Sequence, residues 1–301
     1  MTDYVALNDL RLKARQRSDQ VNSQFVTDSE LDGYVNNSYS ELYDIIVSRY
    51  DDDYFLTSYA LTVTSGTASY DLPSDFYKAR GVDLVISTNE STPLQRYVFA
   101  DRTRDSLARY ARDVKYRIQG NKIHFAPAPD SNTATLWYIP KPRKLQSATP
   151  SVVSRGSTTT YTVPYTHSFA VGDRLNLVDF ISTGYNVEQT VTAVTSVTVV
   201  TDLDSTGLAD PTTIGTLNSM VDLFNAGWQE YIELDSAIKC LVKGEEDPTA
   251  MLVLKGQLRD RIFDMSETRD SGELPRVTNV ASYESYFFVL MSRPNFTFFF
   301  F

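Results

Sequence analysis

The 301-residue sequence contains one cysteine, Cys240, and two histidines, His124 and His167. A single cysteine excludes an intramolecular disulfide and any multi-cysteine metal site. Two histidines nearly exclude a histidine-based zinc or catalytic cluster. Positive charge is scarce as well: 28 Lys and Arg stand against 38 Asp and Glu, a net charge of −10 with a pI near 4.8. Phosphate backbones are gripped by clustered Lys and Arg, so this balance argues against a broad nucleic-acid surface. Met1 to Leu12 holds no basic segment followed by an apolar run, so no signal peptide is expected. No G-x-G-x-x-G, phosphate loop, G-x-S-x-G elbow or H-E-x-x-H occurs. The acid pairs Glu41/Asp44 and Glu230/Glu233 lie one helical turn apart, as chance among 38 acids would produce. They read as parts of helices that are polar outside and apolar inside. No catalytic, cofactor or metal-binding residue is assigned, and the chain is not expected to be an enzyme. Its 42% hydrophobic and 22% charged residues describe a folded scaffold of one large or two smaller domains.

Helical periodicity marks both ends of the chain. Leu7, Leu10 and Ala14 share one face over residues 6–18, with Arg11, Lys13, Arg15 and Arg17 on the others. Those four cations read either as a solvated helix face or as an arm that meets an acidic partner. Thr27 and Glu30 form a capping box ahead of a stripe of Leu31, Tyr34, Val35, Leu42, Ile45 and Ile46. That helix should stop near Tyr50, and Asp51-Asp52-Asp53 reads as a solvated turn. Towards the other end, Phe224, Trp228, Tyr231, Leu234, Ile238 and Leu241 follow helical spacing up to Gly244, a natural stop. Asp247-Pro248 restarts a helix carrying Met251, Leu254, Leu258, Ile262 and Met265, which should end before Ser271-Gly272. Cys240 is read as a small core residue.

The middle is β in character. Leu61 with Val63, Tyr70 with Leu72, Val82 to Ile86, and Leu136 with Tyr138 and Ile139 predict short strands. Tyr116-Arg117-Ile118, Gly120-Asn121 and Ile123 to Phe125 predict a two-residue hairpin. Ala100–Arg112 predicts a short helix. Residues 151–217 are rich in Thr and Val, lack lysine, and have Arg155 and Arg174 as their only basic residues. Phe169 to Val178 predicts a strand pair entered through Gly172-Asp173, and Val187 to Val194 with Ser196 to Thr201 alternates like half-exposed antiparallel strands. The fold class expected is α+β: a bundle of about four helices with a small antiparallel β region, plus an inserted all-β barrel or sandwich. The expected domains are a discontinuous core of residues 1–150 and 218–282, the insert 151–217, and an extended aromatic arm over 283–301. The arm holds Tyr283, Tyr286, Phe287, Phe288, Phe296, Phe298, Phe299, Phe300 and Phe301, too interrupted by Arg293 and Pro294 to span a membrane. A terminus this apolar needs another chain to cover it.

The run Asp19 to Leu31, then Asn36 to Asp44 and Tyr50 to Phe55, resembles the opening of tailed-bacteriophage head–tail adaptor proteins. Tyr70-Asp71-Leu72-Pro73-Ser74-Asp75-Phe76 is similar to the family's LP-x-DF turn. Tyr116 to Ile118, Pro127-Ala128-Pro129, Tyr138 to Pro140 and Asp235 to Lys243 continue the likeness. The resemblance, which extends to tail tubular protein A-like, portal-docking adaptors, covers roughly 5–145 and 221–282. It implies a homo-oligomeric ring, usually of twelve copies, at the head–tail junction of the virion, made in the host cytoplasm. Its implied partners are the portal protein, reached partly through the C-terminal arm, and a tail or second neck protein. DNA would pass through the lumen without specific binding during packaging and ejection, since acidic walls repel it. No membrane contact is implied. The Thr/Val-rich insert and the tyrosines leave a cell-surface or glycan-binding module as an alternative, with a hydrolase behind it.

Overall fold

The computed structural model describes residues 4–20, 25–49, 54–87, 90–101, 114–130, 132–181, 183–222 and 227–267, all within one compact unit. The Asp51–Asp53 turn, the segment 102–113 that holds most of the expected Ala100–Arg112 helix, and the aromatic arm lie outside them. Four helices occur among the described residues: α1 (Leu7–Arg17), α2 (Asp28–Arg49), α3 (Gln229–Lys243) and α4 (Thr249–Glu267). Their apolar stripes meet in one core of Leu7, Leu10, Leu31, Val35, Leu42, Ile46, Trp228, Tyr231, Leu258 and Ile262, with Cys240 buried among them. The capping box closes by half. The Glu30 amide donates to Thr27 Oγ1 at 3.3 Å, while the Glu30 carboxylate turns to Tyr34 and Lys243.

Two helical expectations need correction. Helix α3 does stop at Gly244, but that residue keeps right-handed geometry, and the left-handed position falls one later, on Glu245 at φ 57°. The Glu246 amide donates to Leu241 O at 3.0 Å and the Glu245 amide to Val242 O at 3.2 Å, the paired bonds of a Schellman end. The α4 stripe is also narrower than expected. Leu258 and Ile262 are buried, whereas Leu254 and Met265 are exposed, because α4 turns the ammonium of Lys255 inward instead.

Strands outnumber helices, so the chain is more β than a bundle with a small β region. A short strand the pattern did not reveal, β1 (Tyr4–Ala6), leads into α1. After α2 come β2 (Thr57–Val63), β3 (Ser69–Asp71), β4 (Phe76–Ser87), β5 (Glu90–Pro93), β6 (Gln95–Arg96), β7 (Lys115–Gln119), β8 (Lys122–Ala126) and β9 (Asn132–Pro140). They form two four-stranded sheets, β2-β9-β4-β5 and β3-β8-β7-β6, around Leu61, Val63, Val82, Ile123, Phe125 and Leu136. The β7–β8 turn is the expected hairpin, with Gly120 at φ 59° supplying the left-handed conformation. Val82 is buried but Ile86 is exposed, since the far half of β4 runs out beside the edge strand β5.

The Thr/Val-rich region contains β10 (Ser147–Ala148), β11 (Val152–Ser154), β12 (Thr159–Thr162), β13 (Arg174–Val178), β14 (Glu188–Val194), β15 (Thr198–Thr201) and β16 (Thr216–Asp222). Phe169 and Val171 precede β13 in loop and turn, so one strand stands where a pair was expected. The sheet runs β1-β16-β13-β14-β15-β12-β11 and curves over its own core of Tyr161, Phe169, Leu175, Leu177, Tyr185, Val191, Val199 and Leu217. It is not a closed barrel. The outer edge of β16 is already taken by β10 and β1, which leaves no edge for the three-residue β11 to close upon.

Two joints tie the regions together. The Asn36 side chain acts as a surrogate peptide: Nδ2 donates to Leu145 O at 2.9 Å, and the Leu145 amide donates to Oδ1 at 2.7 Å. The Tyr43 hydroxyl donates to Pro140 O at 2.6 Å, fixing α2 to the end of β9.

Candidate interaction surfaces

The four N-terminal cations are engaged by the chain itself. Arg11 makes a two-pronged pair with Asp32, and Arg15, nearly buried, reaches Asp28 at 2.7 Å and Val26 O at 2.9 Å. Arg17 bonds Glu230 at 3.0 Å and Glu233 at 3.2 Å, and Lys13 adds a second contact to Glu233 at 3.0 Å. Glu233 was expected on a polar outer face. It is buried instead, and these two cations of α1 neutralise it. The aromatic candidates Tyr283 to Phe301 lie outside the described residues.

A second ionic cluster, not anticipated, joins α2, α3 and α4. Asp235 is buried and accepts bonds from Ser38 Oγ at 2.6 Å, Lys239 Nζ at 2.5 Å and Lys255 Nζ at 2.7 Å. Lys255 also reaches Glu41 at 2.9 Å, and Glu41 in turn accepts the Tyr231 hydroxyl at 2.6 Å. Burial alone would raise the Asp235 pKa, but the bonds from Lys239, Lys255 and Ser38 outweigh it and hold the carboxyl below its ordinary range. Burial likewise opposes the Lys255 charge, and the bonds to Asp235 and Glu41 override it and hold the ammonium above its usual value. Only the Asp235–Lys239 spacing of four could have hinted at this cluster. Lys255 and Glu41 meet through tertiary packing alone.

This arrangement is structural chemistry. Every acid of the cluster is committed to a cation, and among the described residues no three His, Cys, Asp or Glu are placed to share a metal. The Cys240 thiol is buried, and burial pushes its pKa up, away from nucleophile behaviour. None of the described helices is long and apolar enough to cross a membrane. The outer side of the helical hairpin is a different kind of surface. Val242, Leu252, Val253 and Leu254 are between 49% and 60% exposed, and Glu245, Glu246 and Asp247 lie in the adjoining turn. Leu234, Leu254 and Leu258 also line a groove between α3 and α4, together with Glu230, Gln257 and Arg261. Exposed apolar side chains of this kind are available for contacts with other proteins.

No curated protein matches the chain at a significant level. Among solved structures, the endosialidase of phage phi92 is similar at 16% identity and a TM-score of 0.23, over 56% of this chain and 30% of the length of that one. The sequence pattern of the SU10 adaptor protein family matches residues 6–171, which run from α1 through both four-stranded sheets and into the third. With more than half its length inside that pattern, the chain belongs to the SU10 adaptor protein family and is a structural protein of a bacteriophage virion.

Proposed function

We propose that the chain is a subunit of a ring in the phage neck, joining the portal to the tail and leaving a channel for DNA. Membership of a phage adaptor family carries this reading. The exposed apolar side chains of α3 and α4 support it, because they offer contact area to a neighbouring chain. The ring would hold twelve copies, as in the portal-docking adaptors its sequence resembles. A net charge of −10 per copy would keep the channel wall from holding DNA as it slides through.

Contact with the portal is assigned to the aromatic arm, residues 283–301, rather than to Arg11, Lys13, Arg15 and Arg17, which already serve the helical core. The proposal is tested by imaging purified virions at a resolution that locates this chain. A ring between portal and tail is the expected result. Density for the chain on the tail fibres or the outer capsid would refute the neck assignment.

A further inference from the structure

The edge strands of the three sheets are protected with one exception. Strand β5 carries Glu90 and Pro93, β3 carries Asp71 and β6 carries Arg96, while β1 and β11 are three residues long. Short length, charge and proline are the ordinary devices that stop sheet edges from pairing with other chains. Strand β2 has none of them. It runs seven residues, Thr57-Ser58-Tyr59-Ala60-Leu61-Thr62-Val63, without charge or proline. It pairs with β9 at seven consecutive positions without a bulge, and among the described residues nothing pairs with its other edge.

We infer that this edge is a docking site for a second copy of the chain, the two β2 strands pairing antiparallel about a two-fold axis at Ala60. The strand is complementary to itself in that register. Tyr59, 40% exposed although it shares a face with the buried Leu61 and Val63, would lie across from Leu61 of the other copy. Aromatic–aliphatic pairs of this kind stabilise antiparallel strands. On the opposite face, Ser58 would meet Thr62 of the other copy, and Ala60 would meet its own counterpart. Because the strand is uncharged, the pairing brings no like charges together in a chain that is acidic overall. The result is one continuous eight-stranded sheet built from β5-β4-β9-β2 and its symmetry mate. The interface is small, at the low end of specific contacts below about 1,200 Å², so the dimer is a transient one that exchanges in solution. It does not depend on the ring assignment. A two-fold contact cannot by itself propagate a ring, and its failure would leave the neck reading untouched.

Sedimentation velocity of the full chain from micromolar to roughly a hundred micromolar concentration provides the test. The parent chain should show a reversible monomer–dimer equilibrium. Ala60→Lys, which sets two ammonium groups face to face, should weaken it by about tenfold or more. Mixing Ala60→Lys with Ala60→Glu chains should restore the dimer as a mixed pair. Ala60→Cys should oxidise to a symmetric disulfide, since directly opposed residues lie about 4.5–5.5 Å apart. Because Ala60 is exposed, all three variants should keep the parent melting temperature. The inference is overturned if the parent stays monomeric throughout. It is equally overturned if Ala60→Lys dimerises like the parent, or if the mixed charge variants fail to pair.

Discussion

At two helix ends an acidic residue, Asp19 or Glu245, sits where glycine is the usual choice. Both are left-handed, at φ 52° and 57°, and both close a helix through the same pair of backbone bonds. A side chain in that conformation costs about 1–2 kcal/mol, and glycine in its place loses roughly 0.5–1 kcal/mol of chain entropy on folding. Glu245 also places a negative charge at the negative end of α3. Glu245→Gly should therefore raise stability by about 0.5–1 kcal/mol, read as a higher urea midpoint at unchanged slope. Asp235 gives the pH counterpart. Its carboxyl is held below the unfolded value of 3.8, so its pairing stabilises the fold above that pH. The contribution is lost as pH falls through the lower, folded value. Urea midpoints should drop as pH falls below 3.8, and Asp235→Asn should flatten that part of the curve while lowering stability at neutral pH by about 3 kcal/mol. An unchanged acid limb in that variant would assign the pH dependence elsewhere.

At the scale of elements, what could be read in advance was whatever a single segment decides alone. The stripe Leu31-Val35-Leu42-Ile46 fixes α2, and Gly120-Asn121 fixes the β7–β8 hairpin, because periodicity and turn chemistry are local. Three features were not legible, each because a distant partner decides it. Tyr4–Ala6 is too short to show alternation and becomes a strand only through Met220 to Asp222. No sequence signal pointed to the pairing of the Asn36 side chain with the backbone of Leu145, 109 positions away. Nor did any local signal link Lys255 to Asp235 and Glu41, which it meets through tertiary packing. The Thr/Val-rich region yields a further prediction from its own joint. Ser147 and Ala148 pair with Asn218 and Leu217, so the two ends of that region leave the core as neighbouring strands. Replacing residues 149–216 with Asn-Gly would close β10 and β16 as a two-residue hairpin. β1 and α1 would keep their partner in Met220 to Asp222. The shortened chain should unfold in one cooperative step, with the helical core intact by far-ultraviolet circular dichroism. A broad, non-cooperative melt would make the region part of the main folding unit.

At the scale of the whole molecule, the aromatic terminus is expected to serve a partner chain. Residues 283–301 contain two dense aromatic groups, Tyr286-Phe287-Phe288 and Phe298 to Phe301, separated by a stretch with Arg293, Pro294 and Asn295. Burying a Phe side chain contributes about 1.5–3 kcal/mol, whereas ordering one residue of backbone costs about 1–2 kcal/mol. Docking is therefore favourable where aromatics are consecutive and unfavourable across the stretch between them. The arm should bind as two anchors joined by a loose link, and each anchor then raises the effective concentration of the other. A chain ending at Asn295 should keep one anchor and bind the portal at least about tenfold more weakly than the full chain. A chain ending at Gly272 should lose portal binding altogether. Both should melt within about 2 °C of the parent, since the buried residues of the apolar cores lie between Leu7 and Ile262. Calorimetry of each truncation, beside its recovery on immobilised portal rings, separates the two roles. A drop of several kcal/mol in chain stability with portal binding retained would make the terminus part of the chain's own fold and not a docking arm.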